Sequence, residues 1–222
     1  MIKVENAQTW GFEHAIRGMR NPLNSWDRSD TTFDKVYGTG FVWNLGENDL
    51  DLMRRLYKAG TEHRKYLRQI FVSMDITAPL YWWKQADQYR INVTTNSCST
   101  MHKIAAKEFT EDDFSHEKLM NECDVPSCSP RGVLGRTIDS LNYSRKKYLE
   151  TKDKDWWWQM IQLLPSSYNQ KRTITMNYEN VISMIKQRTG HHLDEWNDFI
   201  EELKKLPYIK EIMGDTNVES NI

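Results

Sequence analysis

Several groups of side chains in this 222-residue chain have the chemistry to hold a ligand, and their spacing limits what each can do. Cys98, His102, Cys123 and Cys128 are thiol and imidazole types that zinc prefers, and Cys98 with His102 makes an i, i+4 pair if a helix begins there. Four residues separate Cys123 from Cys128, wider than the usual two, and one site needs both segments to meet. Buried or loop thiols are the ordinary use of such residues. His191 and His192 stand beside Asp194 and Glu195, a grouping that suits a metal, an acid–base pair or, more often, the polar start of a helix. Trp156, Trp157 and Trp158 offer flat surfaces for a base or flavin, although packing against a core or a subunit is the commoner use. The stretch Ile91 to Ser99, INVTTNSCS, is Thr/Asn-rich like a loop or irregular edge, where chemistry is often carried. No Walker loop, dinucleotide glycine fingerprint, nucleophile elbow or HExxH motif occurs, so those enzyme classes lose their main support.

Composition sets the frame for these groups. Hydrophobic residues make 39% of the chain and charged residues 27%, enough apolar surface for one substantial core and too much for a disordered chain. We expect a single domain over 1–213 and a polar tail over 214–222. A net charge of −1 supplies no global field toward nucleic acid or an anionic membrane, which leaves a nucleic-acid-binding role without support. No uncharged apolar run reaches the roughly 20 residues of a membrane span, Glu5 interrupts the N-terminus, and three cysteines are too few for a disulfide framework. The expectation is a cytoplasmic protein. Nine tryptophans are unusual, and neighbours on a helix point about 100° apart. Some of the adjacent pair and triplet must therefore meet a second helix layer, a subunit partner or a ligand.

Patterning predicts a mainly helical chain. A strand around Ile2 to Val4 leads to a helix through Trp10, His14, Ile16 and Arg17 that stops by Asn21-Pro22. Asn48 or Asp49 is placed to cap a helix whose apolar face runs through Leu50, Met53, Leu56, Tyr57 and Leu67. A strand or helix continuation fits 69–76, and Thr77 with Pro79 reads as the start of a helix carrying Trp82, Trp83 and Tyr89. The segment around Gly38 and Gly40 is polar, and residues 123–130, with Pro126 and Pro130, form a connection. Helices follow over Ile138 to Glu150, Trp156 to Leu164, Tyr178 to Arg188 and Asp194 to Leu206.

In this order of parts the chain resembles the flavin-dependent thymidylate synthase family along most of its length. Leu163-Leu164-Pro165, Tyr168, Thr175-Met176-Asn177-Tyr178 and the helix closing on Lys186-Gln187-Arg188 are similar to that family's leucine-proline turn, its "TMN" step and its "LR" ending. His191, His192, Glu195 and Trp196 follow, as a histidine, an acidic residue and a tryptophan do in the family. The helix from Asp49 to His63 resembles the element before its first histidine region. The family's signature is an arginine-histidine-arginine triplet followed by spaced serine, asparagine, glutamate, serine, arginine and tyrosine. Its best placement puts Asn96 and Ser99 on the asparagine and second serine, with Thr94 for the first serine. Tyr89, Arg90 and Ile91 then take the triplet, Ser97 the glutamate, and Met101 and His102 the arginine and tyrosine. Ser183 replaces a flavin asparagine and Ile161 a nucleotide-binding arginine.

The resemblance implies an α+β fold, helix-rich around a small sheet, assembled as a homotetramer with shared sites. It also implies transfer of a one-carbon unit from methylenetetrahydrofolate to a pyrimidine nucleotide, dUMP or a relative, with hydride from FAD reduced by NADPH. On that analogy Ser99 and Arg188 are catalytic, and Arg90, Asn96, Ser99, Arg172 and Arg188 bind nucleotide. Arg90, Asn177 and His102 contact the cofactor. Such chemistry needs planar paired donors, which Arg offers and Met or Ile does not, and a lost contact costs roughly 2–4 kcal/mol of transition-state stabilisation. Arg90, Arg172, Lys171 and His102 are the replacements within reach of the matching segments. The alternative is a non-catalytic nucleotide-binding protein of the same fold, in which these arginines are surface or ion-paired and Ser99 caps the helix after it.

Overall fold

The computed structural model describes residues 1–36, 40–124 and 128–214. The expectations placed on Gly38, on Val125, Pro126 and Ser127, and on the tail beyond Gly214 lie outside the described residues. Six strands occur among them: β1 (Lys3–Trp10), β2 (Thr32–Val36), β3 (Gly40–Asn44), β4 (Phe71–Pro79), β5 (Thr94–Ser97) and β6 (Asn169–Asn177). Four form a sheet in the order β1-β4-β6-β5, while β2 and β3 pair antiparallel with Thr32 opposite Asn44 and Val36 opposite Gly40. The fold is α+β, as expected. Strict alternation explains β4, whose Val72, Met74, Ile76 and Ala78 are buried at period two. Among the described residues, no helix is long and apolar enough to cross a membrane.

The chain forms two compact units. The first contains Met1–Glu5, Asp75–Tyr89 and Thr95–Thr173. It holds α3 (Leu80–Ala86), α4 (Thr100–Lys103), α5 (Pro130–Thr151) and α6 (Lys154–Leu163). Ile104, Phe109, Phe114, Leu134, Ile138, Leu141 and Met160 make its core, with Trp157 and Ile161 packed against it. Helix α5 starts well before the expected Ile138 because Ser129 accepts the Gly132 N–H as its N-cap and Pro130 takes the first turn, where no donor is needed. Trp82 and Trp83 are both fully buried and meet edge to face at 4.8 Å, so α3 is covered on more than one side. The triplet divides instead. Trp157 reaches the core, Trp156 meets Tyr143 at 5.6 Å, and Trp158 stays largely exposed.

The second unit contains Asn6–Met74, Arg90–Thr94 and the described residues from Ile174 onward, with α1 (Phe12–Arg20), α2 (Glu47–Lys58), α7 (Tyr178–Arg188), α8 (Asp194–Leu203) and α9 (Ile209–Met213). Sequence patterning places several boundaries differently. Trp10 ends β1 rather than opening a helix, since Gly11 breaks the chain direction at φ +94. Helix α2 stops at Lys58 before Gly60 at φ +106, which leaves Leu67 in a short 3-10 turn. Asp49 lies inside α2 and caps nothing. Buried to 0% exposure, its side chain instead receives Arg20 Nε at 2.6 Å, the hydroxyls of Ser29 and Thr31, and the N–H groups of Asp30 and Thr31. Helix α8 has Leu193 at its N-cap, whose side chain makes no capping hydrogen bond, and Asp194 and Glu195 fall in its first turn.

Gly11 gives a direct test of this packing. A Cβ there would lie 2.1 Å from the Gln69 carbonyl oxygen in a left-handed backbone conformation. Gly11→Ala should cost about 3 kcal/mol and lower the melting temperature by about 8 °C. An unchanged melting temperature would mean that this approach is not made.

Candidate functional site

In the second unit, α7 organises the residues singled out by the sequence. Asn177 is its N-cap, its Oδ1 accepting the Asn180 N–H at 3.0 Å, and the side chain is 2% exposed. Asn180 Nδ2 donates to the Ile91 carbonyl at 2.8 Å, which brings the segment bearing Arg90 to the same end of α7. Arg188 ends the helix. Eleven positions along α7 from Asn177 amount to about 16 Å, so the two cannot reach one phosphate within this chain. Asn177 and Arg90 are thus brought together, and Arg188 lies apart from both.

At its own end Arg188 has a defined seat. Its guanidinium lies 4.8 Å over the ring of Trp196, a fully buried residue of α8, within cation–π distance. The His191 ring is 6.3 Å from Trp196 and 6.5 Å from the His192 ring. The Leu193 N–H donates to His191 Nδ1 at 3.0 Å, so the proton of the neutral imidazole sits on Nε2. Burial lowers the His191 pKa, and the positive charges of Arg188 and His192 lower it further. Arg188, His191 and Trp196 thus form one cluster at the C-terminal end of α7.

In the first unit, β5 is the edge strand of the sheet and leads directly into α4. Asn96 is exposed on β5, and Ser99 caps α4 by accepting the His102 N–H at 3.1 Å. Arg172 on β6 is tied to this segment through Gln170. Its Nε donates to Gln170 Oε1 at 2.9 Å, and Gln170 Nε2 donates to the Cys98 carbonyl at 2.7 Å. The remaining reach of Arg172 is committed as well, since Nη1 pairs with Asp87 Oδ1 at 2.8 Å and the guanidinium lies 4.2 Å over Trp83. Lys171 pairs with Asp75 at 3.3 Å and Glu5 at 3.6 Å, partners that raise its pKa. Asn96, Ser99, His102 and Arg172 therefore share one neighbourhood, with both basic residues of β6 neutralised inside it.

Sequence reasoning did not find the seat of Arg188 or the neighbours of Arg172. Asp87 and Trp83 lie about 85 positions earlier in the chain than Arg172, and no local pattern marks such a contact. Ile161 is packed against the core, where it offers no donor. Among the described residues no group of three or more His, Cys, Asp or Glu side chains could hold a metal ion. Cys123 and Cys128 approach to 3.0 Å.

Comparison with known proteins bears on the fold. No protein-family model matches the chain, and no curated protein matches it by sequence. Solved structures do. A flavin-dependent thymidylate synthase ThyX from Helicobacter pylori, complexed with FAD and dUMP, superposes with a TM-score of 0.66 at 15% identity, covering 95% of this chain and 97% of that one. A second structure of Helicobacter pylori Thymidylate Synthase X with FAD and dUMP gives 0.66 and 15%, covering 96% and 97%. The class that these define for the present chain is a ThyX-like fold.

Proposed function

We propose that this chain binds a pyrimidine nucleotide, dUMP or a close relative, at Arg188, and that it does so without flavin chemistry. The observation that supports binding is the placement of Arg188 over Trp196 beside His191, on a fold whose similar solved structures hold dUMP. Paired guanidinium donors match the oxygens of a phosphate or a pyrimidine carbonyl. Titration of dUMP by calorimetry should show saturable binding that Arg188→Ala impairs, with AMP binding more weakly. Absence of dUMP binding would refute the proposal.

The residues that the resemblance assigns to FAD do not fit a dinucleotide with a charged pyrophosphate. Of the three basic positions only Arg90 carries a charge, and Ile91 is 80% exposed with nothing to donate from its side chain. Asn177 is buried with its Oδ1 held by Asn180. His102 stands without the arginine that precedes the tyrosine in the family's pattern, because Met101 occupies that place. A second reading has one observation in its favour, that both similar structures hold FAD beside dUMP. On it the chain methylates a pyrimidine deoxynucleotide with methylenetetrahydrofolate, FAD and NADPH. A cytoplasmic homotetramer belongs to either reading, with exposed aromatics such as Trp26 and Tyr143 available for subunit contact.

Binding at Arg188 should also move a proton. His191 is held neutral partly by the charge of Arg188, so a bound phosphate that offsets this charge raises the histidine toward its ordinary value. NMR titration of the His191 ring should show it protonating at higher pH with dUMP bound than without, a change absent in Arg188→Ala. An unmoved His191 titration would place the phosphate away from this pair.

A further inference from the structure

Within the first unit, a ligand-sized cavity of about 420 Å³ opens between α4 and the junction of α5 with α6. Its volume lies in the range of small-molecule sites. Ile104, buried in the core cluster, lines it together with the rings of Tyr148 and Trp157. The Trp157 ring is fixed, because Nε1 donates to the Met101 carbonyl at 3.1 Å. Around this apolar wall stand Lys152, Lys154 and His102. No carboxylate lines the cavity, and among the described residues none of these three side chains has an acidic partner within ion-pair distance.

Each lysine ammonium lies near an aromatic ring. Lys152 Nζ lies 5.9 Å from the Tyr148 ring centroid and Lys154 Nζ 5.8 Å from that of Trp158, which in turn meets Trp157 edge to face at 4.7 Å. Lys152 also occupies a left-handed backbone position, φ +58, at the C-cap of α5. Glycine is the usual residue there because it adopts this conformation without strain. A lysine at this place brings a cation to the cavity at a backbone cost that glycine would avoid.

From the aromatic wall and the unpaired lysines we infer that this cavity binds a nucleoside diphosphate, with the base against Trp157 and Tyr148 and the diphosphate between Lys152 and Lys154. The base stacks because an aromatic wall contacts a π-face of any base. The diphosphate is the fitting anion, since two ammonium groups match several negative oxygens better than one carboxylate does. The site shares no cation with the Arg188 cluster and stands independently of the reading given for that cluster.

The test uses the full chain and three probes: ADP, adenosine and inorganic pyrophosphate, each titrated by calorimetry. ADP should bind, pyrophosphate more weakly and adenosine most weakly, and raising the salt concentration should weaken ADP far more than adenosine. Lys152→Gly removes a cation while relieving the left-handed strain, so it leaves the fold intact, and Lys154→Gln changes an exposed side chain at the start of α6 after Asp153, which keeps its cap on Asp155. Each should weaken ADP about tenfold, and neither should alter adenosine. Wild-type affinity for ADP in the double variant would overturn the inference. So would failure of the wild-type chain to bind both ADP and pyrophosphate, or ADP binding lost in Arg188→Ala and kept in the lysine variants.

Discussion

Asp49→Ala should destabilise the chain by about 3–5 kcal/mol and lower its melting temperature by more than 10 °C, a larger effect than any surface substitution. Asp49 and Arg20 are 0% and 4% exposed, and their contact at 2.6 Å is the charged centre of a network that also takes up Ser29, Asp30 and Thr31. Removing the carboxylate strands the buried guanidinium, whose Nη2 already has no partner among the described residues. Asp49→Asn keeps an acceptor and should lose less. Burial pushes the Asp49 carboxyl upward, but hydrogen bonds from Thr31, Ser29 and Arg20 and the arginine charge outweigh it and hold the pKa below its ordinary value. The stability this supplies is complete above the ordinary aspartate range, near pH 4, and is lost as pH falls through the lower folded value. Urea unfolding of wild type and Asp49→Ala should therefore differ most near neutrality and converge in acid. A melting temperature within about 2 °C of wild type would show that the pair does not hold α1 to α2.

Arg188→Ala should weaken dUMP binding by about 10- to 100-fold, the range for losing charge-assisted hydrogen bonds to a ligand. Arg188→Lys should lose nearly as much, because an ammonium neither stacks on Trp196 as a plane nor offers a paired fork. Arg188 is half-buried, so circular dichroism and melting curves must accompany the titration. The expected result is a folded variant with impaired binding. Affinity within twofold of wild type in a folded Arg188→Ala chain would remove Arg188 from the site.

What the sequence made legible follows from how local each signal is. Helix α7 lies where patterning put it, Tyr178 to Arg188, because its apolar residues recur at three and four and Asn177 supplies a cap just before it. For β4 the β-branched and aromatic residues fit a strand or a helix continuation equally, and the period-two burial of Val72, Met74, Ile76 and Ala78 emerges only in the fold. Strand β6 gave no strand signal, since Lys171, Arg172 and Thr173 run together as polar residues and its buried positions, Gln170, Ile174 and Met176, include a polar one. Ser99 caps α4, which is the ordinary use weighed against a ligand role. The engagement of Arg172 with Asp87 and Trp83 depends on strands and helices distant in sequence, as does the aromatic seat of Arg188. The cavity at Lys152 joins segments about 50 residues apart, and only the fold assembles them.

The absorption spectrum of the purified chain, recorded after incubation with excess FAD and gel filtration, reads flavin binding without any assumption about catalysis. With Ile91 and Met101 where basic residues would be needed and Asn177 buried as a helix cap, the protein fraction should show no flavin band, while dUMP still binds by calorimetry. Stoichiometric retained flavin would contradict this, and would make flavin-dependent methylation of a pyrimidine nucleotide the reading to carry forward.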